Sequence, residues 1–219
     1  MSKTKYNMQV NGRSDGAETK ALLIECAGRL IAQKGFAKTT SKEICTMAQV
    51  NLAAVNYHFG SRDGLYLAVL KEVHAYLMNI DLLNSLYKKQ CSPQEKLREF
   101  LDFYISNVLK ESNWYVKVWA REMLAPSPMI NEIFNSEAIP KLRIVLLLFA
   151  EYLELPLNDT RLYSCIVSTM APFAMIFLSG NSPMQQYLPR ISEVPHLLTT
   201  MQEFALLSLC NYKKTVLKK

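Results

Sequence analysis

The stretch "SKEICTMAQVNLAAVNYHFGSRDGLYLAVL", residues 41–70, decides the fold, because it starts and stops two short helices and then opens a long one. Thr40, just before it, and Glu43 have the spacing of a capping box, in which each side chain satisfies a backbone N–H at the start of a helix. That helix runs through Ala48, with Ile44, Met47 and Ala48 on one face. The turn Gln49-Val50-Asn51 follows, and Asn51 is suited to cap a second helix from Leu52 to about Phe59. Gly60 ends it, Ser61 caps the next, and Arg62 to about Tyr87 reads as one long helix carrying Leu65, Leu67, Val69, Leu70, Val73, Leu77 and Ile80. Two short helices flanked by long ones predict a helix-turn-helix with a connector behind it. In that arrangement Leu52, Val55 and Phe59 belong to the core.

The helical pattern continues in both directions. Upstream, Ala17 to Lys34 carries Ala21, Ile24, Ala27, Leu30 and Ile31 at three- and four-residue steps, and Gly35 is a stop signal. Downstream, Ser92-Pro93-Gln94-Glu95 is a second capping box with proline at the first helical position. Its helix, to about Lys110, carries Leu97, Phe100, Leu101, Tyr104, Ile105 and Val108. Further helices are expected over Trp114–Leu124, Pro128–Leu153 with Pro140 as a kink or break, Asn158–Leu178 and Val194–Tyr212. No window alternates apolar and polar residues for long, so the fold class is all-α. The expected organisation is a flexible arm over 1–16, a helix-turn-helix domain over 17–64, a larger helical domain over 65–212 and a basic tail over 213–219.

Charge narrows the partners. The net charge is +6. Residues 1–60 carry a net +4 and the four lysines after residue 212 another +4, leaving the middle slightly acidic. An N-terminal excess of bases suits a polyanion such as nucleic acid, since each neutralised phosphate releases a condensed counterion. Ordinary solubilising lysines give the same count, so charge alone does not decide. The five cysteines are scattered with no metal-ligand spacing, as expected of reduced thiols in a cytoplasmic protein. The N-terminal arm has no apolar core of a secretory signal. The uncharged run from Leu162 is apolar for only seventeen residues and contains Pro172, so it reads as a helix buried in a core or subunit interface rather than a membrane span.

A helix-turn-helix lays its second helix in the major groove while the first crosses the backbone. Ala53 and Ala54 allow close approach and methyl contact to thymine, and Asn56 is suited to paired hydrogen bonds with adenine. Lys42, Tyr57, His58 and Arg62, with the hydroxyls and helix-start amides of Thr40 and Ser41, are candidate phosphate donors. Tyr57 and His58 taken singly fit better as packed side chains with internal partners, and it is the run taken together that favours DNA contact.

At this level "IAQKGFAKTTSKEICTMAQVNLAAVNYHFGSRDGLY" closely resembles the DNA-binding domain of the TetR family of bacterial transcriptional regulators. The resemblance spans about residues 17–66 and includes the G-F-x-x-T-T lead-in, the V-N-x-x-x-x-N-Y-H-F helix and the G-S-R-D-x-L start of the connector. It implies DNA contacts at Thr40, Ala53, Ala54, Asn56, Tyr57, His58 and Arg62. Gln49 departs from the pattern, since glycine is usual at that turn. "WAREMLAPSP" after "NWYVKV" resembles the C-terminal domain of the CecR-like branch.

The resemblance further implies a larger domain that binds a small-molecule effector, a homodimer formed through the last two long helices, and a ligand-responsive repressor on a near-palindromic DNA operator in the bacterial cytoplasm. Phe103, Trp114, Trp119, Arg121, Glu122, Met123, Phe149, Met170 and Phe173 are the residues suited to an apolar effector cavity with a few polar handles. No cofactor is expected. Only three histidines are present, with no G-x-S-x-G, phosphate loop or H-E-x-x-H, so an enzyme is not expected. A helical adaptor that binds protein partners and not DNA is the alternative reading.

Overall fold

A computed structural model describes residues 14–108, 114–179 and 196–217, and every described element is helical. The chain divides into two compact units between Val69 and Leu70, within the connector helix. The expected arm over residues 1–13 lies outside the described residues, while residues 14–16 are already helical.

The first unit contains α1 (Ser14–Lys34), a single 3-10 turn (Phe36–Lys38), α2 (Ser41–Ala48), α3 (Ala53–Phe59) and the start of α4 (Arg62–Leu77). From α1, Leu23, Cys26, Ala27 and Ile31 are buried, a stripe shifted from the expected one: Ala21 is exposed, and Ile24 and Leu30 lie at its edge. Ile44, Cys45 and Ala48 of α2 and Val55 of α3 complete this core with Leu65, Tyr66 and Val69. Two expected core positions are instead open, Met47 at 45% and Leu52 at 56% exposure. A helix of two turns buries only a narrow stripe, and Cys45 and Val55 occupy it here.

The termini of these short helices are closed by specific hydrogen bonds. Thr40 and Glu43 form the capping box, with the Thr40 amide donating to Glu43 at 2.9 Å and the Glu43 amide to Thr40 Oγ1 at 3.3 Å. At the other end of α2, Gln49 is left-handed (φ 56°, ψ 38°). Its amide donates to the Thr46 carbonyl at 3.2 Å, and the Val50 amide to the Cys45 carbonyl at 3.0 Å. Those two bonds are a Schellman motif. Asn51 then opens α3, its Oδ1 accepting from the Ala53 amide at 2.8 Å and its carbonyl from the Ala54 amide at 2.9 Å. Gly60 (φ 74°) closes α3, and the Ser61 hydroxyl accepts from the Gly64 amide at 2.9 Å. A Cβ on Gly64 would stand 2.1 Å from the Phe59 carbonyl oxygen, so only glycine lets α4 begin this close to the end of α3.

The second unit holds the rest of α4, then α5 (Ile80–Lys88), α6 (Pro93–Val108), α7 (Trp114–Leu124), α8 (Ile130–Ile133), a π-helical turn (Phe134–Ala138), α9 (Ile139–Leu153), α10 (Thr160–Ser179), α11 (Leu197–Tyr212) and a final π-helical turn (Lys213–Leu217). The expected single helix from Arg62 to Tyr87 is broken at Asn79. Its backbone is extended and its Oδ1 accepts from the Asp81 and Leu82 amides, starting a new helix. The expected helix 128–153 is likewise split. Pro140 has no N–H to give the preceding turn, and the backbone ahead of it widens into the π turn.

Phe100, Leu101, Leu148, Phe149, Leu162 and Phe173 lie at the centre of this unit's core. Buried polar joints fix the helices around it. Lys96 donates to the Tyr87 carbonyl at 2.9 Å and pairs with Glu151 at 3.1 Å, and Gln202 donates to Asp102 at 2.5 Å. The expected basic tail begins as structure: Lys213 Nζ donates to the Tyr152 carbonyl at 2.6 Å and to Glu154 at 2.8 Å, closing the end of α9. No described helix is long and apolar enough to cross a membrane.

A left-handed backbone costs a side-chain-bearing residue about 1 kcal/mol that glycine escapes. Gln49→Gly is therefore expected to raise the unfolding free energy by up to about 0.5 kcal/mol after glycine's larger unfolded-state entropy is offset. Urea titration of both proteins checks this; a lower midpoint for the glycine variant contradicts it.

Candidate nucleic-acid interface

The face of α3 opposite Val55 is open. Ala53 and Asn56 are exposed, Tyr57 is 85% exposed, and Ala54 and His58 are half-buried. Ala53, Asn56 and Tyr57 share this face because they lie three and four residues apart. His58 meets Tyr57 edge-on at 4.9 Å and Phe59 at 6.2 Å, so its ring braces the tyrosine. Phe59 is half-buried, with the Lys20 ammonium 5.8 Å from its ring centre.

The start of α2 supplies a second set. Lys42 is exposed and Ser41 half-buried. Thr40 departs from its expected role as a donor, since both its amide and its hydroxyl point at the Glu43 carboxylate. A hydrogen bond from Lys34, reinforced by the Thr40 amide and hydroxyl, pushes the Glu43 carboxyl down to about 2. The carboxylate therefore stays ionised and the box intact at any ordinary pH.

Arg62 is also engaged within the protein. Its guanidinium donates to the Thr39 carbonyl at 3.2 Å and lies 4.3 Å over the Phe36 ring, which stacks on Tyr66 at 4.1 Å. Thr39 is itself buried, its hydroxyl donating to the Gly35 carbonyl at 2.9 Å. The stack ties the lead-in of α2 to the first turn of α4. Arg62 retains half-exposed edges, but its first task here is to hold the turn at Thr39. Gly64 and this stack were missed in the sequence; an isolated glycine inside an apolar helical pattern was the available signal.

The residues expected to line an effector cavity are dispersed over the second unit. Phe149, Phe173 and Met170 belong to the central core. Phe103 borders a groove of about 390 Å³ with Leu82, Lys89, Glu99 and Asp102. Arg121 and Met123 are exposed, whereas Glu122 is buried and accepts from the Ser127 amide and hydroxyl at 3.0 and 2.9 Å. Trp114 stacks on Tyr115 at 3.8 Å. Trp119 meets His74 edge-on at 4.6 Å, and there the sequence reading overlooked His74 and Lys141. Lys141 is 3% exposed and donates to the His74 carbonyl at 3.2 Å and to Glu137 at 3.0 Å. A more apolar groove, about 440 Å³, runs between α10 and α11, and of the expected residues only Phe173 borders it.

Comparison with known proteins bears on both units. The family model described as bacterial regulatory proteins, tetR family, matches residues 23–69, and the one described as HTH-type transcriptional dual regulator CecR, C-terminal domain, matches residues 93–209. The chain is 31% identical over 146 residues to the probable HTH-type transcriptional regulator YttP of Bacillus subtilis, covering 64% of this chain and 70% of that protein. A putative transcriptional regulator from Pseudomonas aeruginosa superposes with a TM-score of 0.67 at 18% identity, over 95% of this chain and 99% of that one. FadR from Bacillus subtilis, solved in complex with stearoyl-CoA, gives a TM-score of 0.66 at 14% identity, over 86% and 96%. At those identities the structural likeness speaks to the fold.

Two outcomes follow from this geometry. Arg62→Ala removes a cation–π contact and a hydrogen bond, and is expected to cost about 1–2 kcal/mol of stability in urea unfolding; an unchanged midpoint would show that the stack holds nothing. Burial, helped by the Lys141 ammonium and opposed by Glu137, pushes the His74 imidazole down to about 4. Below its ordinary value near 6.5 the unfolded chain takes up a proton that the folded protein refuses. Stability is thus complete above about pH 6.5 and falls by roughly 2–3 kcal/mol as pH drops toward 4. His74→Phe should flatten that portion of the pH profile, and identical profiles for the two proteins would rule the assignment out.

Proposed function

The chain belongs to the TetR family of bacterial regulatory proteins, DNA-binding transcriptional regulators, and on that premise we propose that it is a homodimeric repressor that leaves a near-palindromic operator when a small molecule binds its second unit. The observation that carries the reading is the open face of α3, where Ala53, Asn56 and Tyr57 stand clear of a core anchored by Val55. In this reading Ala53, Ala54 and Asn56 face base edges, while Lys42, Ser41, Tyr57 and His58 contact phosphate. Thr40 and Arg62 act chiefly by fixing the start of α2 and the turn before it.

Dimerisation is supported by the outer faces of α10 and α11. Val167, Phe204 and Leu207 are each more than 60% exposed, Tyr163 is open too, and Phe204 lines the apolar groove. Large exposed apolar side chains concentrated on two neighbouring helices mark an association surface. A two-fold dimer presents its recognition helices about 34–36 Å apart, one turn of DNA, so the operator is expected to be near-palindromic. The effector acts through its different affinity for two conformations of the second unit, a coupling of about 1–3 kcal/mol. Residues on either side of the division share α4, which makes that helix the route for the coupling. The stearoyl-CoA bound to FadR shows that a protein of this fold takes an organic ligand. The site of action is the bacterial cytoplasm.

Selection of bound sequences from random duplex DNA tests the proposal. A palindromic site should be enriched at moderate salt, and its absence sinks the regulator reading. On that site Asn56→Ala should relax preference at one base pair by about 1–3 kcal/mol, whereas Tyr57→Phe should weaken binding to every sequence alike. A uniform loss with Asn56→Ala would move Asn56 to the phosphate contacts.

A further inference from the structure

The last turn of α4 holds a side chain that DNA recognition does not use. His74 is 7% exposed, and among the described residues neither of its ring nitrogens has a hydrogen-bond partner. Buried polar atoms nearly always find partners, so a ring with both nitrogens unmatched calls for one from outside the chain. Three features around it indicate what that partner is.

The first is aromatic. Trp119 of α7 meets the imidazole edge-on at 4.6 Å, and Phe134 lies 6.4 Å from Trp119 and is 41% exposed. The three rings form a chain from the buried imidazole to solvent. The second is the backbone. Phe134 begins the π-helical turn, and turns of this kind recur at functional sites because the widened backbone re-aims its side chains. The third is charge. The Lys141 ammonium beneath His74 is matched by Glu137 at 3.0 Å, and Lys71, one turn earlier on α4, by Glu132 at 3.6 Å. Among the described residues, these two lysines, along α4 and under the ring, are each matched by a carboxylate, which leaves neither free to offset the burial of an anion.

We propose that His74, Trp119 and Phe134 form the binding site for a flat, uncharged aromatic molecule carrying a hydroxyl group. A neutral imidazole offers one N–H and one bare nitrogen, and a hydroxyl can answer either of them. The aromatic body lies against Trp119 on the side where Phe134 reaches solvent. This names the chemical class of the effector, and it rests on the regulator reading only for its consequence at the operator.

Naphthol, with the same body but anionic as naphthoate, or without a polar group as naphthalene, provides the probes. The full-length protein is titrated with each at neutral pH by calorimetry, and the imidazole nitrogen resonances of the three histidines are followed by NMR. Naphthol should bind at least about tenfold more tightly than either relative, and it should move the His74 resonances while leaving those of His58 and His196 in place. His74→Phe should weaken naphthol by about tenfold or more and leave naphthalene unchanged. Equal or tighter binding of naphthoate, unmoved His74 resonances at saturating naphthol, or wild-type affinity in His74→Phe overturns the proposal. Should the variant not fold, the resonances of the wild-type protein decide. Operator binding by the unliganded protein is read separately. Its failure counts against the regulator reading alone, whereas naphthol that engages His74 without changing operator affinity removes the effector role.

Discussion

Helices of eight and seven residues do not persist in water on their own, because nucleation fixes several residues for each hydrogen bond gained. The DNA-facing part of this protein is built from two such helices, α2 and α3. What holds them is the closure of their ends: the Thr40–Glu43 box before α2, the Schellman bonds at Gln49 and Val50 after it, and Asn51 before α3. Each closure satisfies backbone groups that would otherwise stay unpaired. The turn is thereby fixed in direction as well as in length, and with it the angle at which α3 leaves α2. The left-handed strain at Gln49 is small beside the two carbonyls it satisfies.

A second constraint acts where α3 gives way to α4. The Phe59 carbonyl lies so close to Gly64 that no side chain fits, and one turn away Arg62 reaches back across Phe36 to Thr39. The lead-in to α2 and the start of α4 are thus held by one stack of a guanidinium and two rings. Arg62, expected as a phosphate contact from its place after α3, is within the protein also the brace that sets α2 against α4.

The parts of this arrangement that were legible in the sequence are those encoded by four or five neighbouring residues. Capping boxes, the Gln49 turn and the Gly60 stop depend on local backbone demands, and all appear where the residues indicate. Errors arose where the deciding contact is distant or where the pattern is degenerate. Leu52 and Met47 look like core because they are apolar, yet a two-turn helix has room for only one inward stripe. Asn79 breaks α4 from α5 while Leu77 and Ile80 keep a helical spacing across it, which conceals the break. Arg62 finds Thr39 twenty-three residues back. The effector candidates failed to converge for a similar reason, since aromatic residues at helical spacing mark a buried face without saying whether that face meets a core or a cavity.

The second unit shows what separates those two cases. Its buried polar groups are joints: Lys96 closes the end of α5 and reaches Glu151, Gln202 bonds Asp102, Glu122 receives Ser127, and Thr169 returns its hydroxyl to the Cys165 carbonyl. A satisfied buried polar group specifies how two segments fit, and its cost is recovered in a single packing arrangement. His74 breaks this pattern within the same unit, with a matched Lys141 beneath its backbone and an unmatched ring above. Folds are locally consistent except where function demands otherwise. The widened turn ahead of Pro140 is a second departure from helical regularity, and Phe134, which opens that turn, reaches Trp119 beside His74. Two irregularities meeting at one tryptophan distinguish this cluster from the aromatic core around Phe100 and Phe149, whose rings meet each other and Tyr104.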